Sequence, residues 1–425
     1  MLAAFAEDEA VKITGFSGIE VYKIRSTKFK TNSIHFFFID MLSKENAAKN
    51  ALIPAVLGRG SRNLPTHRDI ALYLESLYET SFYYYVYKKG VNQIIQFSIE
   101  FLNEKYVGVN VCQKSLELLF EIIQEPILQN GVFKEEYLFQ EKQNLQKLIR
   151  SRLNDKRMYS LERCLEEMCS NEPFGIYQYG TIEDIDKIDA ATLYKYYSEM
   201  QAANPVKVYL SGDFSDDMVK MVISRLRTFE RNAIKQIKPV GFNFRGKGIR
   251  SVTEKMCINQ SKLCLGLRTD IKSLEEDYYP LLVCNSILGG GIHSKLFRSI
   301  RENAGLAYSV YSKLDIYTGL MVMGSGIETG NKDIVLGLMC EQLNEIKKGV
   351  ISEYEFENAL KKIEVEMKLL KDNHFQIVDF FLSQSILGID GCIDNTLEKL
   401  NKVKMEEVIR VSKGISLDTI YFLSV

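Results

Sequence analysis

Residues 288–312, LGGGIHSKLFRSIRENAGLAYSVYS, set three glycines and a serine ahead of apolar residues spaced among charges, then a further glycine and a run rich in tyrosine. The order predicts a tight turn that opens a helix, a helix stop at Gly305, and a strand beginning just after it. Neither GxxxxGK[ST] nor GxGxxG is present, so the glycines at 289–291 are read as permitting close helix packing and a turn rather than cradling phosphate. A stretch built this closely is a platform for side chains.

Working outward, residues 259–291, NQSKLCLGLRTDIKSLEEDYYPLLVCNSILGGG, echo residues 31–60, TNSIHFFFIDMLSKENAAKNALIPAVLGRG. Each reads as a strand, an acidic turn and an apolar helix ending at glycine. Residues 111–149 and 334–370 match as two periodic helices separated by a Gly-Val break, at 131–132 and 349–350. Residues 174–213 and 386–425 match as helices leading to a closing strand. The same order returning at an offset of roughly 210–230 residues points to an internal duplication.

The stretch 231–252, RNAIKQIKPVGFNFRGKGIRSV, carries basic residues, glycine and a proline without an apolar helix face, which suits an extended connector. The expected organisation is an α+β domain at 1–230, a linker at 231–252 and a second α+β domain at 253–425. Strands such as KVYLSG, QIIQFSIEFL and TGLMVMGSGI alternate with blocks of two or three helices. The aromatic run SFYYYVYKKG at 81–90 reads as a further strand, and packing in a sheet accounts for its composition.

Composition excludes several function classes. With 46% hydrophobic and 26% charged residues, the 425-residue chain is an ordinary globular protein. A formal net charge of −1 argues against a nucleic-acid partner, and pairs such as Lys347-Lys348 read as solvated helix faces. The start, MLAAFAEDEAVKI, has acids where a signal peptide needs positive charge, and no apolar run reaches the roughly 18 residues of a spanning helix. The expectation is a cytoplasmic protein with no membrane partner. Eight cysteines without a CxxC read as reduced, buried thiols; Cys164 and Cys169, five apart, do not share a helix face well enough to hold a metal.

The duplicated halves and the LGGG…LF..IRE..GLAYSVYS stretch resemble the insulinase and mitochondrial-processing-peptidase family across nearly the whole chain. The resemblance implies two homologous α+β domains in a clamshell-like arrangement. It also implies, in the first half, an inverted zinc motif HxxEH, two histidines on one helix face with a glutamate serving as general base. This sequence departs from that pattern. In ALIPAVLGRGSRNLPT, Ala51, Pro54 and Ala55 stand where histidine, glutamate and histidine belong. In the helix YLFQEKQNLQKLIRS, Lys147 or Leu148 takes the place of the downstream zinc glutamate. Alanine has no donor atom and lysine has the wrong charge for a zinc ligand. His35, His67, His293 and His374 form no HxxH, HxH or HxxEH pair, and the nearest two are 32 positions apart. No metal is therefore expected in this chain.

What the resemblance leaves in place is the family's arginine and tyrosine, mapped onto Arg301 and Tyr308. A guanidinium and a phenol can orient a peptide carbonyl and stabilise its oxyanion, but neither activates water. Taken alone, the two residues are better explained by Arg301 pairing with a nearby acid and Tyr308 packing in the sheet; the whole segment shifts the reading to a functional one. The shorter stretches KFKTNSIHFFF, NALIPAVLGRGS and LESLYETSF resemble the inactive member of paired bacterial proteins of this family. The resemblance thus implies a heterodimer in which a zinc-bearing homologous subunit supplies the metal, while this chain binds a peptide or unfolded segment. The alternative is a non-proteolytic scaffold or peptide-binding protein of the same fold. An independent new chemistry finds no support, since GxSxG, a cysteine–histidine signature and a P-loop are all missing.

Overall fold

A computed structural model describes residues 7–107, 110–237, 248–271, 274–389 and 391–425. The chain forms two compact units. Unit 1 comprises Met1–Arg150, Ile176–Lys238 and Lys371–Gly388; unit 2 comprises Ser151–Gly175, Pro239–Leu370 and Ile389–Val425. The change of unit at 238/239 falls inside the basic stretch 231–252, of which residues 238–247 lie outside the described residues. Each unit also takes one helical segment from the opposite half of the sequence, which no single cut in the chain reproduces.

In unit 1 the strands are β1 (Ala10–Phe16), β2 (Ile19–Arg25), β3 (Thr31–Met41), β4 (Ser81–Lys89), β5 (Asn92–Leu102) and β8 (Val206–Gly212), ordered β1-β2-β8-β3-β5-β4. A short ribbon of β6 (Leu128–Gln129) and β7 (Val132–Phe133) stands in the Gly131-Val132 break. β3 is antiparallel to β5 and β8, whereas β2 and β8 run parallel. The period of two sends Ile34, Phe36 and Phe38 into the main core beneath helices Ala47–Leu57 and Val111–Gln124. Ser33 and His35 turn to the other face, covered by helix His374–Leu387. With both faces covered, residues 32–40 of β3 are buried without interruption.

His35 is held on both nitrogens by the Ser33 and Ser98 hydroxyls, at 2.9 and 2.8 Å. From the covering helix, His374 Nε2 lies 3.2 Å from the Thr31 carbonyl and Nδ1 lies 2.8 Å from Ser211 Oγ. The carbonyl can only accept, so Nε2 donates and Nδ1 accepts from the serine. Burial lowers the His35 pKa to about 3 and that of His374 to about 4.

Unit 2 repeats the plan. Its strands β9 (Arg250–Lys255), β10 (Ser261–Arg268), β11 (Ala307–Asp315), β12 (Leu320–Ile327) and β13 (Ser416–Ser424) are ordered β11-β12-β10-β13-β9. β13 and β9 are parallel and the other neighbours antiparallel. Read from the hairpin edge, β4-β5-β3-β8-β2 and β11-β12-β10-β13-β9 match strand for strand, as the repeat in the sequence requires. Leu263, Leu265 and Leu267 enter the core under helices Leu274–Gly289, Lys332–Lys347 and Glu353–Leu370. Cys264 faces the other way, against Leu161 and Cys164 of helix Lys156–Met168. Among the described residues no helix is long and apolar enough to cross a membrane.

The glycines at 289–291 separate into two kinds. A Cβ on Gly289 would lie 2.3 Å from the Ser312 nitrogen, and one on Gly290 would lie 2.6 Å from Ser286 Cα. Helix Leu274–Gly289 therefore rests directly on β11 at a point where no side chain fits. At Gly291 the nearest atoms stand 3.5 Å away, so that position has room.

Candidate functional site

Ser294 opens the segment after the glycines. Its hydroxyl donates to the Gly291 carbonyl at 2.6 Å and accepts from the Phe297 N–H at 3.4 Å, fixing the turn that starts the helix. From Phe297 to Asn303 the backbone is a π-helix rather than an α-helix. Ala304 N–H bonds to Ser299, five residues back, and Leu306 N–H to Ile300, six back, around Gly305 at φ +64°. That ending is a glycine-capped helix stop, so Gly305 terminates the element as read from the sequence.

β11 begins immediately, with an irregularity at its first step. Ala307 pairs with Ile327 and Ser309 with Gly326, so two residues advance on β11 for one on β12. Tyr308 is the extra residue of this bulge and is 76% exposed. Bulges re-aim a side chain out of the pleat, and this one turns the phenol outward at the edge of the sheet. The Arg301 guanidinium carbon lies 5.4 Å from the Tyr308 ring centroid and 5.0 Å from that of Phe297. The structure thus brings together the two residues singled out in the sequence, with Phe297 as a third member. Phe297 is the aromatic residue of the LF..IRE stretch and stands four positions before Arg301, a spacing at which helical side chains meet.

The other named positions lie in unit 1. Ala51 and Pro54 are buried and Ala55 partly so, all on helix Ala47–Leu57. Pro54 sits inside the helix and removes one amide donor from it. Lys147 and Leu148 are exposed on helix Glu135–Ser151. Beyond the helix end, the Arg59 side chain forms an ion pair and hydrogen bond with Glu141, itself only 6% exposed on helix Glu135–Ser151. Asn144 also donates to Glu141. Arg59 follows Ala51 and Ala55 at intervals of four, so a permanent cation continues the stripe on which a metal site would be built. Reading past Ala55 for the next residue at that interval is the signal that would have found it.

The chain is 32% identical over 410 residues to the probable inactive metalloprotease YmfF of Bacillus subtilis (strain 168), an alignment that covers 96% of each protein. The chain belongs to the M16 peptidase family. Residues 187–363 match the model described as the Peptidase M16 inactive domain. A second relative, named as an uncharacterized zinc protease YmxG from the same Bacillus subtilis strain, is 27% identical over 241 residues, 56% of this chain and 58% of that protein. Among solved structures, that of a conserved protein from Enterococcus faecalis V583 superposes with a TM-score of 0.91 at 28% identity, covering 98% of both chains.

A zinc ion of the kind active M16 peptidases carry does not fit the residues found here. Ala51 and Ala55 offer no ligand atom, Pro54 offers no base, and the buried acid beside them is already engaged by a guanidinium. Among the described residues, no three His, Cys, Asp or Glu side chains gather as a metal site. The chain is an inactive M16 homologue.

Proposed function

We propose that this chain is the substrate-holding partner of a zinc-bearing M16 subunit and that the two form a heterodimeric endopeptidase. The observation carrying the proposal is the exposed pairing of Arg301 with Tyr308, set by a π-helix and a bulge. Surface residues kept only for packing need neither device. Further support comes from the relatives: one Bacillus subtilis strain holds both a probable inactive metalloprotease and a zinc protease similar to this chain. The proposed setting is the cytoplasm of a bacterium.

In this reading the partner's metal supplies the activated water. Arg301 donates forked hydrogen bonds and Tyr308 a further one to a peptide carbonyl, orienting it and supporting the charge that develops on its oxygen. Phe297 also contacts the guanidinium, limiting the rotamers it samples. An extended peptide also finds free backbone groups along β11, an edge strand, which requires only loose side-chain preferences.

The test is co-expression with zinc-bearing M16 candidates, followed by peptide cleavage by the pair with wild-type chain, Arg301→Ala or Tyr308→Phe. Activity of the pair that falls with each substitution is the expected result. Activity unchanged by both rejects the shared site, and no activity with any zinc-bearing partner favours a non-proteolytic scaffold.

A further inference from the structure

On the face of the unit 2 sheet turned toward helix Lys156–Met168, two glycines of the middle strand stand in register with larger neighbours on either side. Ser309, Gly326 and Lys262 form one row across β11, β12 and β10; Tyr311, Gly324 and Cys264 form the next. Two glycines on β12 leave the sheet bare beneath these neighbours. A Cβ on Gly324 would fall 2.4 Å from the Tyr311 ring, so the glycine makes room for the phenol to lie flat. A Cβ on Gly326 would meet the Gln260 amide oxygen at 2.6 Å and Lys262 Nζ at 3.0 Å. Above these rows the helix reaches its N-terminal end, and a small recess open to solvent remains. Arg157, Lys262, Ser309 and Tyr311 line it over the floor at Gly326.

The charges around it are not neutralised in the usual way. The Arg157 guanidinium lies over the Tyr311 ring, 4.1 Å from its centroid, and Lys262 Nζ donates to the neutral Gln260 side chain at 2.7 Å. Arg157 also donates to the Tyr311 hydroxyl, and among the described residues neither cation forms an ion pair with a carboxylate. Asp155, the nearby acid that acts on Lys262, has Oδ1 committed to the N–H groups of Arg157 and Met158. Partial burial lowers the Lys262 pKa, and the opposing pull of Asp155 does not offset it. In unit 1 the start of helix His374–Leu387 is closed instead by Phe375, whose ring meets His35 at 4.9 Å and Tyr83 at 5.3 Å. Two cations without a carboxylate in direct contact and a hydroxyl donor, over a glycine floor reached only by flexible side-chain ends, are the parts of an anion site.

We infer that this recess binds a single oxyanion group, a carboxylate or a phosphate, between Arg157 and Lys262 with Ser309 as a further donor. It stands apart from the Arg301–Tyr308 reading and holds whether or not that reading does. The α-carboxylate of a peptide and inorganic phosphate are the two sources of such a group, held at the mouth of the recess.

Calorimetric titration of the full chain distinguishes them, using inorganic phosphate and two pentapeptides identical except for a free or an amidated C-terminus. Saturable binding of phosphate or of the free-acid peptide is expected, with the amide at least roughly tenfold weaker than the acid where the peptide is the source. Arg157→Gln and Lys262→Gln should each weaken binding by roughly tenfold or more at unchanged circular dichroism. Gly326→Ala should weaken it as well without altering charge, since only flexible side-chain ends yield to the added methyl. No saturable binding of either anion up to millimolar concentration overturns the inference. So does binding that Arg157→Gln and Lys262→Gln leave within roughly twofold of wild type.

Discussion

Arg301 and Tyr308, seven residues apart, meet face to face because a π-helix ends on Gly305 and a bulge turns the tyrosine outward. Their contact is exposed, and a cation over a ring at such a site adds only about 0.5–1 kcal/mol. Tyr308→Ala and Arg301→Ala should therefore change the urea midpoint of the isolated chain by an amount worth less than about 1 kcal/mol. In a reconstituted pair, loss of either donor should lower kcat by about ten- to a hundredfold, with a smaller effect on KM. A large loss of stability in either variant would show the contact to be structural.

Arg59 and Glu141 predict the opposite behaviour. Glu141 is nearly buried and Arg59 partly so, and truncating the cation strands a carboxylate with Asn144 as its remaining donor. Arg59→Met should cost about 2–3 kcal/mol in urea unfolding, below the range for a fully buried pair because Arg59 keeps some water. Arg59→Met combined with Glu141→Leu should recover most of that loss. A double variant as unstable as the sum of its parts would show that the pair is not coupled.

The glycine run supplies a contrast within three residues. Gly289→Ala drives a methyl into the β11 backbone and should destabilise by about 1–3 kcal/mol, read as a lower thermal midpoint. Gly291→Ala should change stability by no more than about 0.5 kcal/mol. Equal effects at the two positions would contradict the packing described for the helix end.

Acid should weaken the fold before the carboxylates titrate. His35 and His374 are neutral when folded, with pKa values lowered to about 3 and about 4, whereas the unfolded chain takes up protons near pH 6.5. The stabilisation from the neutral forms is fully present above pH 6.5 and is lost as pH falls toward the folded values. His293 is lowered in the same direction. Between pH 6.5 and 4.5 each buried histidine should remove up to about 1.4 kcal/mol per pH unit. His374→Gln should flatten that slope in urea titrations, and a slope identical to wild type would exclude His374 as its source.

The element order and the repeat were legible in the sequence because each rests on local pattern: alternation in β10, periodicity in the paired helices and glycine at the helix stops, whereas Arg301 and Tyr308 were reached only through the family resemblance. What was hidden depends on registers and partners that no residue type announces. Nothing in FRSIREN distinguishes five-residue from four-residue hydrogen bonding, and the bulge at Tyr308 exists only relative to β12. Arg59 was in plain view, but Glu141 lies 82 positions away and only the fold pairs them. The helices that cover the back of each sheet come from the other half of the sequence, so a domain cut by composition leaves them in the wrong place.

That exchange sets a schedule for synthesis. Helix His374–Leu387 seals the unit 1 face bearing His35, Phe37 and Tyr209, yet it leaves the ribosome after most of unit 2 has been made. Until then the nascent first half carries an uncovered aromatic and histidine surface, the kind of exposure that invites chaperones and aggregation. A chain that stops short of residue 371 can complete neither unit.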